Sequence, residues 1–115
     1  IGSDAHYGAW IDTATARFYI GSKEYGHSNH QCALVWVEWY DADKDEYVIS
    51  HDEYDLDCRM SRTLHATFYN SQNEVINSYN RSYADFEDII PGTNGEAVYD
   101  AVVMLMETRE NARRL

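Results

Sequence analysis

Chemistry in this chain has three places to reside, each gathering carboxylates, imidazoles or a thiol within a few residues. Asp41-Ala42-Asp43-Lys44-Asp45-Glu46, followed by Asp52 and Glu53, sets acids at alternate positions, the pattern from which a calcium loop draws its oxygens. The match is partial. Glu46 stands where the sharp turn of such a loop needs glycine, Asp52 stands where a bidentate Glu belongs, and strand-like sequence flanks the run. An acidic hairpin turn is the simpler reading, because Asp side chains satisfy backbone amides in such turns. The second place, His27-Ser28-Asn29-His30-Gln31-Cys32, offers His27, His30 and Cys32 to a zinc ion, for which imidazole and thiolate are suitable donors. No fourth ligand is visible, oxidation of Cys32 would remove the thiolate, and a solvated polar loop explains the segment without a metal. The third comprises the acid pairs Asp52-Glu53 and Asp55 with Asp57, which could move protons if burial raised one pKa. Strand alternation instead puts Asp55 and Asp57 opposite Tyr54 and Leu56, toward solvent. No Ser or Cys lies in a nucleophile motif and no Gly-rich phosphate loop is present, so neither a catalytic residue nor a cofactor is expected.

The formal charge of −11 over 115 residues opposes nucleic-acid phosphates and anionic lipid surfaces, which require clustered Lys and Arg. No nucleic-acid partner is expected, and no apolar run approaches the roughly 20 residues that span a bilayer. The length fits one domain over residues 1–115 with a single core. The chain begins at Ile1 rather than Met, and cleavage of a signal peptide is one way to produce such a start. Two cysteines, Cys32 and Cys58, allow one disulfide, which suits an oxidising compartment.

The elements that must position these groups change period at Pro91-Gly92. Before it, apolar residues fall at every second position; after it, they follow a helical repeat. His6–Asp12 and Thr15–Gly21 read as two short aromatic strands forming a hairpin, and residues 22–31 as a surface loop. Cys32–Tyr40 is the strongest strand, with Ala33, Val35, Val37 and Trp39 on one face and Leu34, Trp36 and Tyr40 on the other. The turn at 41–46 returns the chain into Tyr47–Asp57. If Tyr40 pairs with Tyr47, Cys32 falls opposite Asp55, and a Cys32–Cys58 bond needs a bulge or a shift of a few residues. Arg59–Tyr69 and Glu74–Tyr79 complete six antiparallel strands. Trp10, Trp36, Trp39, Tyr40 and Tyr69 read as core and cross-strand packing. Thr93-Asn94-Gly95-Glu96 is a capping box that opens a helix over 93–114. Its stripe of Val98, Ala101, Val102 and Leu105 suits a sheet, while Tyr99, Val103 and Met106 widen the apolar arc enough for a second contact, such as a homodimer. Arg109, Arg113 and Arg114 suit the negative end of its dipole, with the last turns in water.

Three segments share the order and spacing of a known family. Tyr54-Asp55-Leu56-Asp57-Cys58, then Thr67-Phe68-Tyr69-Asn70 with Val75-Ile76-Asn77-Ser78, then Ile89-Ile90-Pro91-Gly92-Thr93-Asn94-Gly95-Glu96-Ala97 resemble the surface-adhesin protein E family of bacterial envelope proteins. The similarity runs from Phe18 to Val103. It implies an α+β fold, a six-stranded antiparallel meander sheet with one C-terminal helix on its concave face. It also implies an exported protein whose best-studied relatives bind host matrix and serum proteins, and it brings no catalytic residue. The chain departs from the family where members carry a cysteine near Val102-Val103 to partner the one matching Cys58, which leaves Cys32 as the candidate here.

Two functions follow as expectations. The first is an exported adhesin-like module, located in the periplasm, at the outer membrane surface or outside the cell, that uses Asp41, Asp43, Asp45, Glu46, Asp52 and Glu53 to dock basic extracellular proteins. The second is a cytoplasmic acidic inhibitor or immunity-type protein that masks a basic partner.

Overall fold

A computed structural model describes residues 7–21, 29–81 and 84–114. Seven strands and one helix follow in chain order: β1 (Tyr7–Ile11), β2 (Arg17–Ile20), β3 (Gln31–Asp41), β4 (Glu46–Asp55), β5 (Met60–Tyr69), β6 (Val75–Asn80), β7 (Glu87–Asp88) and α1 (Asn94–Arg114). All pairings are antiparallel, in the order β1-β3-β4-β5-β6, with β2 also on β3 and β7 also on β5. The sheet is open. The α+β meander with a C-terminal helix is therefore the fold, with a two-residue seventh strand added to the expected six.

The expected β1–β2 hairpin does not form. Both strands pair with β3 instead, β1 along Val37–Asp41 and β2 along Gln31–Leu34, so together they make one interrupted edge. The break is the Asp12–Thr15 turn, where Asp12 accepts from the Ala14 amide (3.1 Å) and the Thr15 hydroxyl (2.8 Å) and turns the chain out of the ladder. The other edge of the sheet is divided in the same way between β6 and β7.

The β3–β4 hairpin keeps an unbroken register from Asp41↔Glu46 through Tyr40↔Tyr47 to Cys32↔Asp55. The register shifts once between β4 and β5, at His51/Asp52, where Leu64 is the extra residue. Alternation then assigns the faces. Ala9, Ala33, Val35, Val37 and Tyr54 lie under α1 with Val98, Tyr99 and Val102 as the core, and Ile11, Phe18, Trp39, Val103, Leu105 and Met106 pack around it. The other face bears no helix among the described residues.

The helix starts as the capping box requires. The Glu96 amide donates to Thr93 Oγ1 (3.3 Å), and Glu96 Oε1 reaches back to the Gly92 amide (3.1 Å) rather than to that of Thr93. Gly92 has φ +79°, a left-handed value that favours glycine, so the chain can turn into the helix without a Cβ penalty. Arg59 ties this end down by donating to Glu96 Oε2 at 2.9 Å.

Two expectations for α1 are corrected. Tyr99 is buried and donates its hydroxyl to the Leu56 carbonyl (2.6 Å), so it is not available for a dimer contact, while Val103 and Met106 are half-buried against the core. The physical reason is the width of the sheet: β1, β2, β3 and β4 all contribute to the surface beneath the helix and absorb its wide apolar arc. Arg109 is half-buried rather than projecting freely into water: its guanidinium donates to the carbonyls of Ala16 (2.6 Å) and Thr13 and lies over Phe18, fastening the helix to the β1–β2 turn. No helix of the described residues is long and apolar enough to cross a membrane.

Candidate functional site

The helix-free face is organised in cross-strand rows. One row runs Trp10↔Glu38↔Ile49↔Thr67↔Ser78, and the next runs Trp36↔His51↔His65↔Asn80. Trp36 stacks flat on His51 (centroids 4.3 Å, interplanar 5°) and meets His65 edge-on at 6.0 Å. A third row sets Tyr47 against Tyr69 at 4.7 Å. His51 is held below its ordinary pKa by desolvation, then by the nearby His65 and Arg17 charges, so its imidazole stacks in the neutral form at neutral pH. These contacts bear out cross-strand aromatic packing, but Trp10 departs from it: the residue is 55% exposed. Gly8 permits its pose, because a Cβ at position 8 would come within 2.7 Å of the Trp10 ring. Trp10, Ile11, Asp12, Thr15, Trp36, Val37, Glu38 and Ile49 together line a cleft of about 500 Å³. Indole and aliphatic walls with exposed carboxylates from Asp12 and Glu38 at the rim suit the stem and cationic head of a Lys or Arg side chain.

The predicted acidic surface divides in two. Asp43 and Asp45 are exposed and Asp41 and Glu46 half-buried at the β3–β4 turn. Their oxygens serve the turn itself: Asp41 Oδ1 accepts from the Asp43 amide (3.0 Å), and Asp45 Oδ1 accepts from the Tyr40 hydroxyl (2.8 Å), raising the Tyr40 pKa. Asp52 and Glu53, expected beside them, are instead buried. Asp52 lies on the helix side, where Thr63 donates to Oδ1 (2.8 Å) and Ser50 to Oδ2 (3.0 Å), while Ser50 itself accepts from the Trp39 indole (2.9 Å). Burial pushes its pKa up to about 6. Glu53 is locked to the buried Arg62, whose Nε donates to Oε1 at 2.7 Å while Nη1 donates to the Ala84 carbonyl and the guanidinium covers Phe86. Neither acid can present charge to a partner, and Asp52 cannot join Asp41, Asp43 and Asp45 around a calcium ion. Parity carried the signal, since Asp52 alternates in phase with Val48 and Tyr54.

At the far end of the same hairpin a second group converges. Asp55, expected in solvent, is fully buried; its Oδ1 accepts from the amides of Asp57 (3.1 Å) and Cys58 (3.0 Å), and its Oδ2 meets His30 Nδ1 at 2.7 Å. That hydrogen bond raises the His30 pKa against the opposing effect of desolvation. Cys58 Sγ lies 3.5 Å from the same His30 nitrogen, and the Gln31 amide donates to Asp57 Oδ2 (2.8 Å).

The expected Cys32–Cys58 disulfide is absent, and both cysteines are thiols. The unbroken β3–β4 register supplies no bulge to bring them together. Cys32 is buried within β3 with its thiol toward the His30 carbonyl (3.6 Å), whereas Cys58 is exposed in the β4–β5 turn beside the His30 ring. Burial, with Asp55 and Asp57 next, pushes the Cys32 thiol up to about 11, and desolvation and Asp55 also raise that of Cys58, so neither is an activated nucleophile. Of the zinc-type set His27, His30 and Cys32, His27 lies outside the described residues. His30 is brought together with Asp55 and Cys58 rather than with the Cys32 thiol.

Comparison with family models, with curated proteins and with solved structures returns no match to this chain.

Proposed function

We propose that this chain is an exported, adhesin-like binding module that docks basic protein segments on its helix-free sheet face and performs no catalysis. The observation that carries the reading is the cleft walled by Trp10, Trp36 and Ile49, with Asp12 and Glu38 at its rim. An exposed Trp beside carboxylates supplies both parts of an Arg or Lys hot spot, desolvated contact area and opposite charge. The acids of the β3–β4 turn lie at one end of this face and, with the net charge of −11, attract basic partners from a distance. The resemblance of the β4, β5–β6 and helix-start segments to surface-adhesin protein E supports the same reading.

The test is titration of the full chain with a short arginine-rich peptide, read by tryptophan fluorescence. Saturable binding is expected, weakened about tenfold by Trp10→Ala, a loss of about 1.4 kcal/mol. It should weaken less with Glu38→Gln and fall with salt. Equal binding by parent and Trp10→Ala would remove the cleft from the account.

A second reading, a cytoplasmic acidic inhibitor that masks a basic partner, draws equally on the net charge of −11. Locating the native protein by fractionating its source cells separates the two readings.

A further inference from the structure

We propose that His30, Asp55 and Cys58 form a mononuclear site for a borderline divalent cation of the zinc class, with His30 Nδ1, one Asp55 oxygen and Cys58 Sγ as protein ligands and solvent completing the sphere. The site lies at the opposite end of the β3–β4 hairpin from the acidic turn, and the inference does not depend on the docking surface. Its basis is convergence: the three donor atoms all lie within 4.8 Å of one another, although they come from the residue before β3, the last residue of β4 and the turn beyond it.

The donor chemistry selects the ion. Imidazole nitrogen, thiolate sulfur and a single carboxylate suit zinc, whereas calcium and magnesium demand oxygen. Zinc–ligand bonds of about 2.0–2.3 Å in tetrahedral geometry separate donors by roughly 3.3–3.6 Å. The Cys58–His30 separation of 3.5 Å already matches. The 2.7 Å His30–Asp55 contact is a hydrogen bond, so an ion replacing the shared proton has to open it by about 0.6 Å. Backbone amides already orient the carboxylate: Asp55 Oδ1 is held by the Asp57 and Cys58 amides, which aims Oδ2 at His30, and the exposed Cys58 leaves an entry path.

A Cys–His–Asp relay is the competing use of the same residues, and the atoms rule it out. A relay needs the thiol on one ring nitrogen and the carboxylate on the other, but Cys58 and Asp55 both meet Nδ1. Three donors facing one point form a ligand set.

The experiment adds Co²⁺, then Zn²⁺, to the folded full-length chain under a non-thiol reductant. One equivalent of Co²⁺ should bind with a thiolate-to-cobalt charge-transfer band, and Zn²⁺ should displace it. Cys58→Ser, at an exposed position and checked for folding by circular dichroism, should lose the band and bind at least ~10-fold more weakly. In the unaltered chain, Zn²⁺ should slow alkylation of Cys58 and leave Cys32 unaffected, as read by mass spectrometry of the labelled peptides. No charge-transfer band, a band that survives Cys58→Ser, or zinc protection confined to Cys32 would each overturn the proposal.

Discussion

Asp41, Asp43, Asp45 and Glu46 at the β3–β4 turn, and Asp52, Glu53 and Asp55 toward the far end of β4, are carboxylates of one hairpin, yet the first set is exposed or half-buried and the second is enclosed. The difference lies in what surrounds them. At the turn, Asp41 and Asp45 accept from close neighbours in sequence, the Asp43 amide and the Tyr40 hydroxyl. The far end is covered by the helix, by Arg62 with Phe86 and by His30, so each acid there needs a partner or a raised pKa. Exposed charge and charge that holds the fold thus lie toward opposite ends of a single ladder.

The sharpest way to break this division is Arg62→Ala. Removing the guanidinium leaves the Glu53 carboxylate buried without its ion pair, and a loss of about 3–5 kcal/mol is expected in denaturant unfolding. A loss below about 1 kcal/mol would place Glu53 with the solvated acids. Next in size is Asp52, whose carboxyl titrates near 6 in the folded chain against 3.8 ordinarily. The folded state then holds a proton that the unfolded chain has already released between about pH 4 and 6. This group's contribution to stability therefore falls as pH rises through that window and stays low above it. Roughly two units at 1.36 kcal/mol each make the effect about 2–3 kcal/mol. Subtracting the stability curve of Asp52→Asn from that of the parent should isolate this slope, and a flat difference would refute the assignment. The smallest effect belongs to the turn: Asp43→Asn with Asp45→Asn, which keep an acceptor for Tyr40 and tolerate the left-handed backbone of residue 45, should change stability by less than about 0.5 kcal/mol while slowing association with a basic peptide at low salt.

Much of this arrangement was legible in the residues. Period-two spacing in Cys32–Tyr40 separated the two faces of β3 without showing that only the Ala33, Val35, Val37 and Trp39 face meets the helix, the Tyr40–Tyr47 pairing set the true register, and Thr93 with Glu96 marked the helix start. What failed did so for identifiable reasons. The β1–β2 pairing was inferred from adjacency, whereas each strand gains more from the central β3. Asp52 was grouped with the turn by composition although its parity pointed inward. Asp55 was assigned to solvent by alternation, which ceases to govern exposure at a strand end where His30 closes over it. The His30–Asp55–Cys58 cluster joins residues 25 and 28 positions apart in sequence, a separation that only the hairpin register brings together.

The central claim is that partners are read on the helix-free face, and the three tryptophans provide both probe and control. Trp10 and Trp36 line the cleft, while Trp39 lies under the helix with its indole bound to Ser50. In an NMR titration of the folded chain with an arginine-rich peptide, the indole N–H signals of Trp10 and Trp36 should shift together and saturate while that of Trp39 stays in place. Movement of Trp39 with the peptide, or stationary signals from Trp10 and Trp36 during binding, would contradict the account.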